Sequence, residues 1–244
     1  MLKGAIFDLG ETLIHLTVSW EQVRDARMKA IYDALQERSI TVDLGHLKHQ
    51  YMTLHEEESA YSDRTLEEIE ITQTFTRLLD RLGVRVNQRP LMMDLVKLSF
   101  AHEVDSWVLF PEVHNTLADV RGLGLKMGLL SNARSDWAVR EILDRLDLTK
   151  HFDAILTSAA LGFRKPRPEP FQQILKLLSL EASEAVMIGN SIEADIAGAR
   201  PLGIKTIHVI FGDDGADEKG TDPNAIVHRM PDIVPAIKQI AAGR

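Results

Sequence analysis

The chain of 244 residues contains no cysteine. That absence excludes disulfides, thiolate metal sites and cysteine nucleophiles, and it fits a reducing compartment. Basic residues are the minority, 28 Lys and Arg against 36 Asp and Glu, for a formal net charge of −8. A nucleic-acid partner is thereby disfavoured, because a phosphate backbone calls for clustered Lys and Arg. Long apolar runs are missing as well. No stretch approaches the roughly 20 residues needed to cross a bilayer, and the first run, after Lys3, is broken by Asp8, so it does not read as a signal peptide. No internal repeat or low-complexity segment appears. What remains is 45% hydrophobic and 26% charged, enough to bury one large domain or a core with an insertion. A cytoplasmic protein with no membrane partner is expected.

Two textures divide the chain. Gly4-Ala5-Ile6-Phe7 reads as a buried parallel strand. From about Leu16 to Ser106 only helices are read. Ser19 to Gln22 and Thr65 to Glu68 each fit a capping box, Gly83 is a helix stop, and a further helix runs from Pro90 towards Phe100. Beyond Phe110-Pro111 helices alternate with strands at 125–130, 152–157, 185–188 and 205–210. Gly212 to Asn224 reads as a loop, and a last helix lies near 233–240. Alternation of this kind implies a parallel sheet with helices on both faces. The expected fold class is α/β: a Rossmann-like parallel-sheet core, residues 1–14 and 107–244, with an inserted all-helical domain at 15–106.

Four polar features fall at or just beyond strand C-termini: Asp8, Ser131 with Asn132, Lys165, and Asn190 with Asp195. In a parallel sheet these ends share one edge, where α/β proteins bind their ligands. A carboxylate can attack an electrophile, and a hydroxyl with backbone amides can hold phosphate oxygens. A lysine offsets negative charge, and a second acid beside Asp8 can hold a hard cation such as Mg²⁺.

At these residues the chain resembles the haloacid dehalogenase-like hydrolase superfamily, whose members are mostly phosphatases. Phe7-Asp-Leu-Gly-Glu-Thr12 is similar to the first motif, Leu130-Ser-Asn132 to the second and Arg164-Lys-Pro-Arg-Pro168 to the third. Gly189-Asn-Ser-Ile-Glu-Ala-Asp-Ile-Ala-Gly-Ala199 is similar to the fourth, and the helical insert lies where the family's first type of cap domain lies. The resemblance implies a Mg²⁺-dependent hydrolase of small phosphorylated metabolites. It implies Asp8 as nucleophile through an aspartyl-phosphate, Ser131 and Asn132 as phosphate holders, Lys165 as charge stabiliser and Asp195 as a metal-site acid. Two positions depart from the pattern. Gly10 stands where the family's phosphatases carry a general acid–base aspartate, and Asn190 replaces a metal-binding acid. The Asn190 side-chain oxygen and the Gly10 backbone carbonyl still offer neutral oxygens to a metal. A phosphate-binding protein with little turnover, and a 2-haloacid dehalogenase using the same Asp8, are the alternatives.

Blander readings stand beside these. A strand-end aspartate such as Asp8 often only caps a turn, and a basic run such as 164–167 is often a solvated loop. Ser131-Asn132 would also suit a helix N-cap. Glu11 is read as solvent-facing, with a minor reading as substitute acid. His46 and His49 near Asp43 hint at a metal site but lack a third ligand, so a surface helix face is read. Gly122-Leu-Gly-Leu-Lys-Met-Gly128 precedes its strand and misses the dinucleotide spacing. His15, Trp20, Arg24 and Arg27 follow the first linker within reach of a pocket, with Arg24 and Arg27 read as surface charges.

Overall fold

The computed structural model describes residues 1–84, 88–211 and 222–243. The first apolar run forms β1 (Gly4–Phe7), buried throughout. Ala5 and Phe7 enter one core and Ile6 the core on the opposite face. A strand covered on both faces gains nothing from polar residues, hence the unbroken apolar run. After β2 (Ile14–Leu16) come four helices, α1 (Trp20–Glu37), α2 (Leu44–Thr65), α3 (Ile71–Arg81) and α4 (Gln88–Ser106). The chain returns through β3 (Trp107–Leu109) to α5 (Val113–Gly122), β4 (Lys126–Ser131), α6 (Asp136–Arg145) and β5 (Ala154–Thr157). There follow α7 (Ser158–Leu161), α8 (Pro168–Leu178), β6 (Ala185–Gly189), α9 (Ala197–Ala199), β7 (Lys205–Val209), β8 (Ala225–Val227) and α10 (Ile233–Ala241).

Six strands form one parallel sheet in the order β5-β4-β1-β6-β7-β8. The chain builds leftward from β1 through β4 and β5, then crosses over and builds rightward from β6. That reversal puts β1 at the switch point, where crossover connections diverge and leave a crevice beyond the strand ends. In register, Phe7 lies between Leu129 of β4 and Ile188 of β6, so the residues following all three emerge side by side.

The helical block enters and leaves the core through β2 and β3, which pair antiparallel with Ile14 opposite Leu109 and Leu16 opposite Trp107. Neither strand is long enough to show a period of two, so the sequence gives no sign of them. Nor does it signal β8, whose Asn224 lead-in bonds to Thr206 of β7. Of the loop read over Gly212–Asn224, residues 212–221 lie outside the described residues. The Ser19–Gln22 capping box forms as read, and Gly83 follows the α3 cap with φ +70°. The Thr65–Glu68 box does not form. Thr65 ends α2 and its hydroxyl donates back to the Tyr61 carbonyl (2.9 Å). Helix α3 starts later, capped by Glu70, which accepts from the Thr72 N–H (2.8 Å). A threonine hydroxyl serves a preceding carbonyl as readily as a following amide, and Glu68 is used elsewhere, accepting from the Ser158 hydroxyl (2.7 Å). Among the described residues no helix is long and apolar enough to cross a membrane.

Candidate active site

Asp8 is the first residue past β1 and is buried at 7% exposure. Its backbone N–H donates to Ile188 O (2.9 Å), which fixes where the side chain departs from the sheet. Lys165 reaches the same spot from the loop between α7 and α8. Its Nζ donates to Asp8 Oδ1 (2.7 Å), Asp195 Oδ1 (2.6 Å) and the Leu130 carbonyl (2.8 Å). All three ammonium protons are thereby engaged. The solvated-loop reading of Lys165 is thus overturned, since the side chain is only 2% exposed.

Burial pulls that ammonium's pKa down, but the Asp195 and Asp8 carboxylates outweigh it and hold Lys165 above its ordinary value. Burial pushes the Asp195 carboxyl up to about 6, against the pull of Lys165 and with the Asp8 charge adding to the rise. Asp195 is oriented by a turn of wider pitch over 192–196. Ser191 caps this turn, accepting from Ala194 N–H (3.0 Å) and donating its own N–H to Asp195 Oδ2 (3.1 Å). Gly189 makes the approach possible. A Cβ there would stand 2.2 Å from the Asp195 carboxylate, so no other residue fits without moving the acid.

The other side of Asp8 meets a hydroxyl that sequence reasoning left without a role. Thr12 is fully buried, its Oγ1 3.2 Å from Asp8 Oδ2 and 3.3 Å from Asn190 Oδ1. The one available signal is a hydroxyl four residues after the acid. Asn190 is held in turn by His208 of β7, whose Nε2 lies 2.8 Å from the Asn190 carbonyl and therefore carries the proton. Asn132 spends its side chain on Lys165, donating from Nδ2 to the Lys165 carbonyl and accepting the Lys165 N–H at Oδ1 (both 2.9 Å). It braces the lysine and leaves one amide proton and its backbone N–H to other uses. Ser131, at the end of β4, is buried beside it.

Asp8, Gly10, Glu11, Ser131 and Asn132 open into a cavity of about 570 Å³ whose far walls come from α1, α2 and α4. Trp20, Arg24 and Arg27 line it, whereas His15 does not and instead packs against Phe110. The reading of Arg27 as a surface charge is therefore wrong. It is 8% exposed and pairs with Glu103, its Nη1 donates to the Tyr51 hydroxyl (3.1 Å), and its guanidinium lies 4.1 Å over the Phe100 ring. Glu11 is exposed, with φ 56°, at the mouth of the same cavity. His46 and His49 are exposed on α2, and no group of three His, Cys, Asp or Glu that could hold a metal occurs among the described residues.

The helical block and the sheet are tied together beside this cavity. Arg134, three residues past β4, pairs with Glu58 of α2 and donates to Thr74 Oγ1 of α3 (2.7 Å). Glu58 also accepts from Thr74 (2.7 Å) and Arg77 (3.2 Å), and its side chain is 2% exposed. Arg134 Nη1 lies 3.0 Å from His55 Nδ1. A guanidinium only donates, so Nδ1 accepts and the imidazole proton sits on Nε2. Burial, reinforced by the Arg134 charge, holds His55 below its ordinary value. No sequence signal marks Arg134.

Residues 2–203 match the sequence pattern of the family described as haloacid dehalogenase-like hydrolase. The chain belongs to that family. Among curated relatives of this haloacid dehalogenase-like hydrolase, a glyceraldehyde 3-phosphate phosphatase from Methanothermobacter thermautotrophicus is 28% identical, covering 98% of this chain and 100% of its own. The enzyme of the same name from Pyrococcus abyssi is 27% identical, covering 87% and 83%. The solved structure of a 2-haloacid dehalogenase from Pseudomonas syringae pv. Tomato superposes with a TM-score of 0.71 at 24% identity, covering 98% of this chain and all of that one. That likeness speaks to the fold.

Proposed function

We propose that this hydrolase cleaves phosphate monoesters of small metabolites, with Asp8 as nucleophile. The observation that carries the reading is Lys165 Nζ, locked between Asp8 and Asp195 at the floor of a cavity sized for a small molecule. The names of the relatives above support the same chemistry. Residues 15–106 act as a cap over the core formed by 1–14 and 107–244. A cytoplasmic setting agrees with a chain free of cysteine.

In this reading Asp8 Oδ2 is the attacking oxygen, because Oδ1 is committed to Lys165 and Oδ2 meets only the Thr12 hydroxyl among the contacts above. Attack on phosphorus breaks the ester bond, releases the leaving oxygen, which takes its proton from water, and leaves an aspartyl-phosphate. Water then attacks that phosphorus and frees phosphate and Asp8. Lys165 keeps positive charge beside the reacting oxygens, and Asn132 holds Lys165 in place. Ser131 Oγ and the backbone amides that follow hold the phosphate oxygens, as donors fixed in advance are suited to do.

The donors around Asp8 fit Mg²⁺. Asp8 and Asn190 converge on one hydroxyl, that of Thr12, Asp8 Oδ1 keeps a lone pair beyond its bond to Lys165, and the candidate ligand atoms are all hard oxygens. Asp8, Asn190, Asp195 and the Gly10 carbonyl would hold the ion, which supplies charge neutralisation on the phosphoryl oxygens when bound. One formal carboxylate fewer than the family pattern implies weaker retention.

Asp8→Asn tests the assignment, since it keeps size and hydrogen bonding while removing the nucleophile. Release of inorganic phosphate from a panel of phosphorylated metabolites should fall at least about 10³-fold. A variant within tenfold of the parent would overturn Asp8 as nucleophile. Parent protein that releases halide from 2-halo acids but no phosphate would overturn phosphate chemistry.

A further inference from the structure

Several donors on the cap side of the cavity find no acceptor among the described residues. Arg27 Nε is the one fully buried side-chain polar atom without a hydrogen-bond partner among the described residues. The rest of that guanidinium is fixed by Glu103, the Tyr51 hydroxyl and the face of Phe100, so Nε–H is presented in one orientation. Arg24 sits one helical turn before Arg27 on α1, on the same face, and lines the cavity half-buried. It has no ion-pair or hydrogen-bond partner among the described residues, whereas Arg27, Arg134 and Arg164 are all paired with carboxylates. The Tyr51 hydroxyl accepts from Arg27 and keeps its own proton to give. His55 has its proton on Nε2, stacked beside Tyr51 and lining the same space.

Glu103 also lines the cavity, but its carboxylate is spent on Arg27, so the donors of Arg24, Tyr51 and His55, with one guanidinium unpaired among the described residues, select for a ligand group that accepts hydrogen bonds and carries negative charge. Asp8, Lys165 and Ser131 claim the phosphate at the other end of the cavity. We propose that Arg24, Arg27, Tyr51 and His55 form a second anion subsite that binds a carboxylate, so that the preferred substrates are small phosphorylated carboxylic acids.

The inference rests on the phosphatase reading for turnover but not for binding, and the two are separable by experiment. The probes are 3-phosphoglycerate, glycerol 3-phosphate and glyceraldehyde 3-phosphate, which share the phosphate and the C2 hydroxyl and differ only at C1. Titration calorimetry on Asp8→Asn measures binding without turnover, and steady-state kinetics on the parent measures hydrolysis. The carboxylate should bind at least about tenfold tighter than the alcohol or the aldehyde, the size of one charge-assisted bond. In the parent the same preference should appear in KM rather than kcat.

Arg24→Gln should reduce the preference at least fivefold, Arg24→Lys should retain part of it, and Tyr51→Phe should reduce it independently. Thermal melts confirm that each variant is folded. Equal affinity for all three probes, or an Arg24→Gln variant with the parent's preference, overturns the subsite while leaving phosphate hydrolysis intact. Selective binding of 3-phosphoglycerate with no hydrolysis of any probe supports the subsite and overturns the phosphatase reading. No binding and no hydrolysis overturn both.

Discussion

Gly10→Asp is the most informative single change, because the structure leaves room for it. Gly10 sits two residues past Asp8 on the cavity wall, and its φ lies outside the left-handed region that disfavours side chains. A Cβ at this position would touch only Trp107 Cη2, at 3.6 Å, an ordinary van der Waals contact. Strain should therefore be negligible, and the loss of a glycine offers about 0.4–1 kcal/mol through the unfolded chain. Against this, a third carboxylate joins Asp8 and Asp195 around one ammonium, so net stability should change little. The kinetic effect should be large and selective. A positioned general acid is worth about 10²–10⁴-fold, or about 3–5 kcal/mol of barrier. An alkyl phosphate needs that proton for its leaving oxygen, whereas p-nitrophenolate leaves without it. Under saturating Mg²⁺, Gly10→Asp should raise kcat for glycerol 3-phosphate at least about 10²-fold, and for p-nitrophenyl phosphate by less than about tenfold. Gly10→Asn, matched in size but without a proton to give, should accelerate neither. Equal acceleration of both substrates would refute the reasoning, as would a parent already fast on alkyl phosphates. The proton would then come from elsewhere, with Glu11, at the cavity mouth, the first residue to replace.

Asn190→Asp should restore the missing charge beside Asp8 and tighten the apparent Mg²⁺ affinity about tenfold, read from activity against metal concentration after chelation; unchanged affinity would place the ion away from Asn190. Arg134→Met should destabilise the fold by about 2–4 kcal/mol, because Glu58 is left buried with one salt bridge fewer. Urea unfolding of that variant, of Glu58→Met and of the double variant checks this. The double variant should be more stable than Arg134→Met alone, and simple additivity would show that the pair is not coupled.

The reacting end of the site was legible because of where it sits. Parallel strands buried on both faces are apolar runs, so the first polar residue after each run marks a sheet edge: Asp8, Ser131 and Asn190 stand out for that reason. Lys165 was visible only through the order of the four motifs. Its own neighbourhood, Arg164 to Arg167, has the composition of a solvated loop, and the fact that it enters the core depends on carboxylates 157 and 30 residues away. The short pairings β2–β3 and β7–β8 had too few residues for any period to emerge.

The cap wall failed for a different reason. A charged residue on a helix is read as solvent-facing because burying an ion costs several kcal/mol unless a partner offsets it. For Arg27 that partner is Glu103, 76 residues on, at the other end of the helical block, and α1 packs along α4 so that the two meet. For Arg134 it is Glu58, 76 residues back on α2. In each case the local sequence states the cost of burial and the distant sequence states the compensation. Only the folded chain brings the two together. It follows that chemistry common to strand ends is readable residue by residue, whereas substrate choice, written on helix faces as long-range charge pairs, is not. Of the four guanidiniums that line the cavity, those of Arg24, Arg27, Arg134 and Arg164, only that of Arg24 has no ion-pair or hydrogen-bond partner among the described residues, and its partner is therefore sought in the substrate.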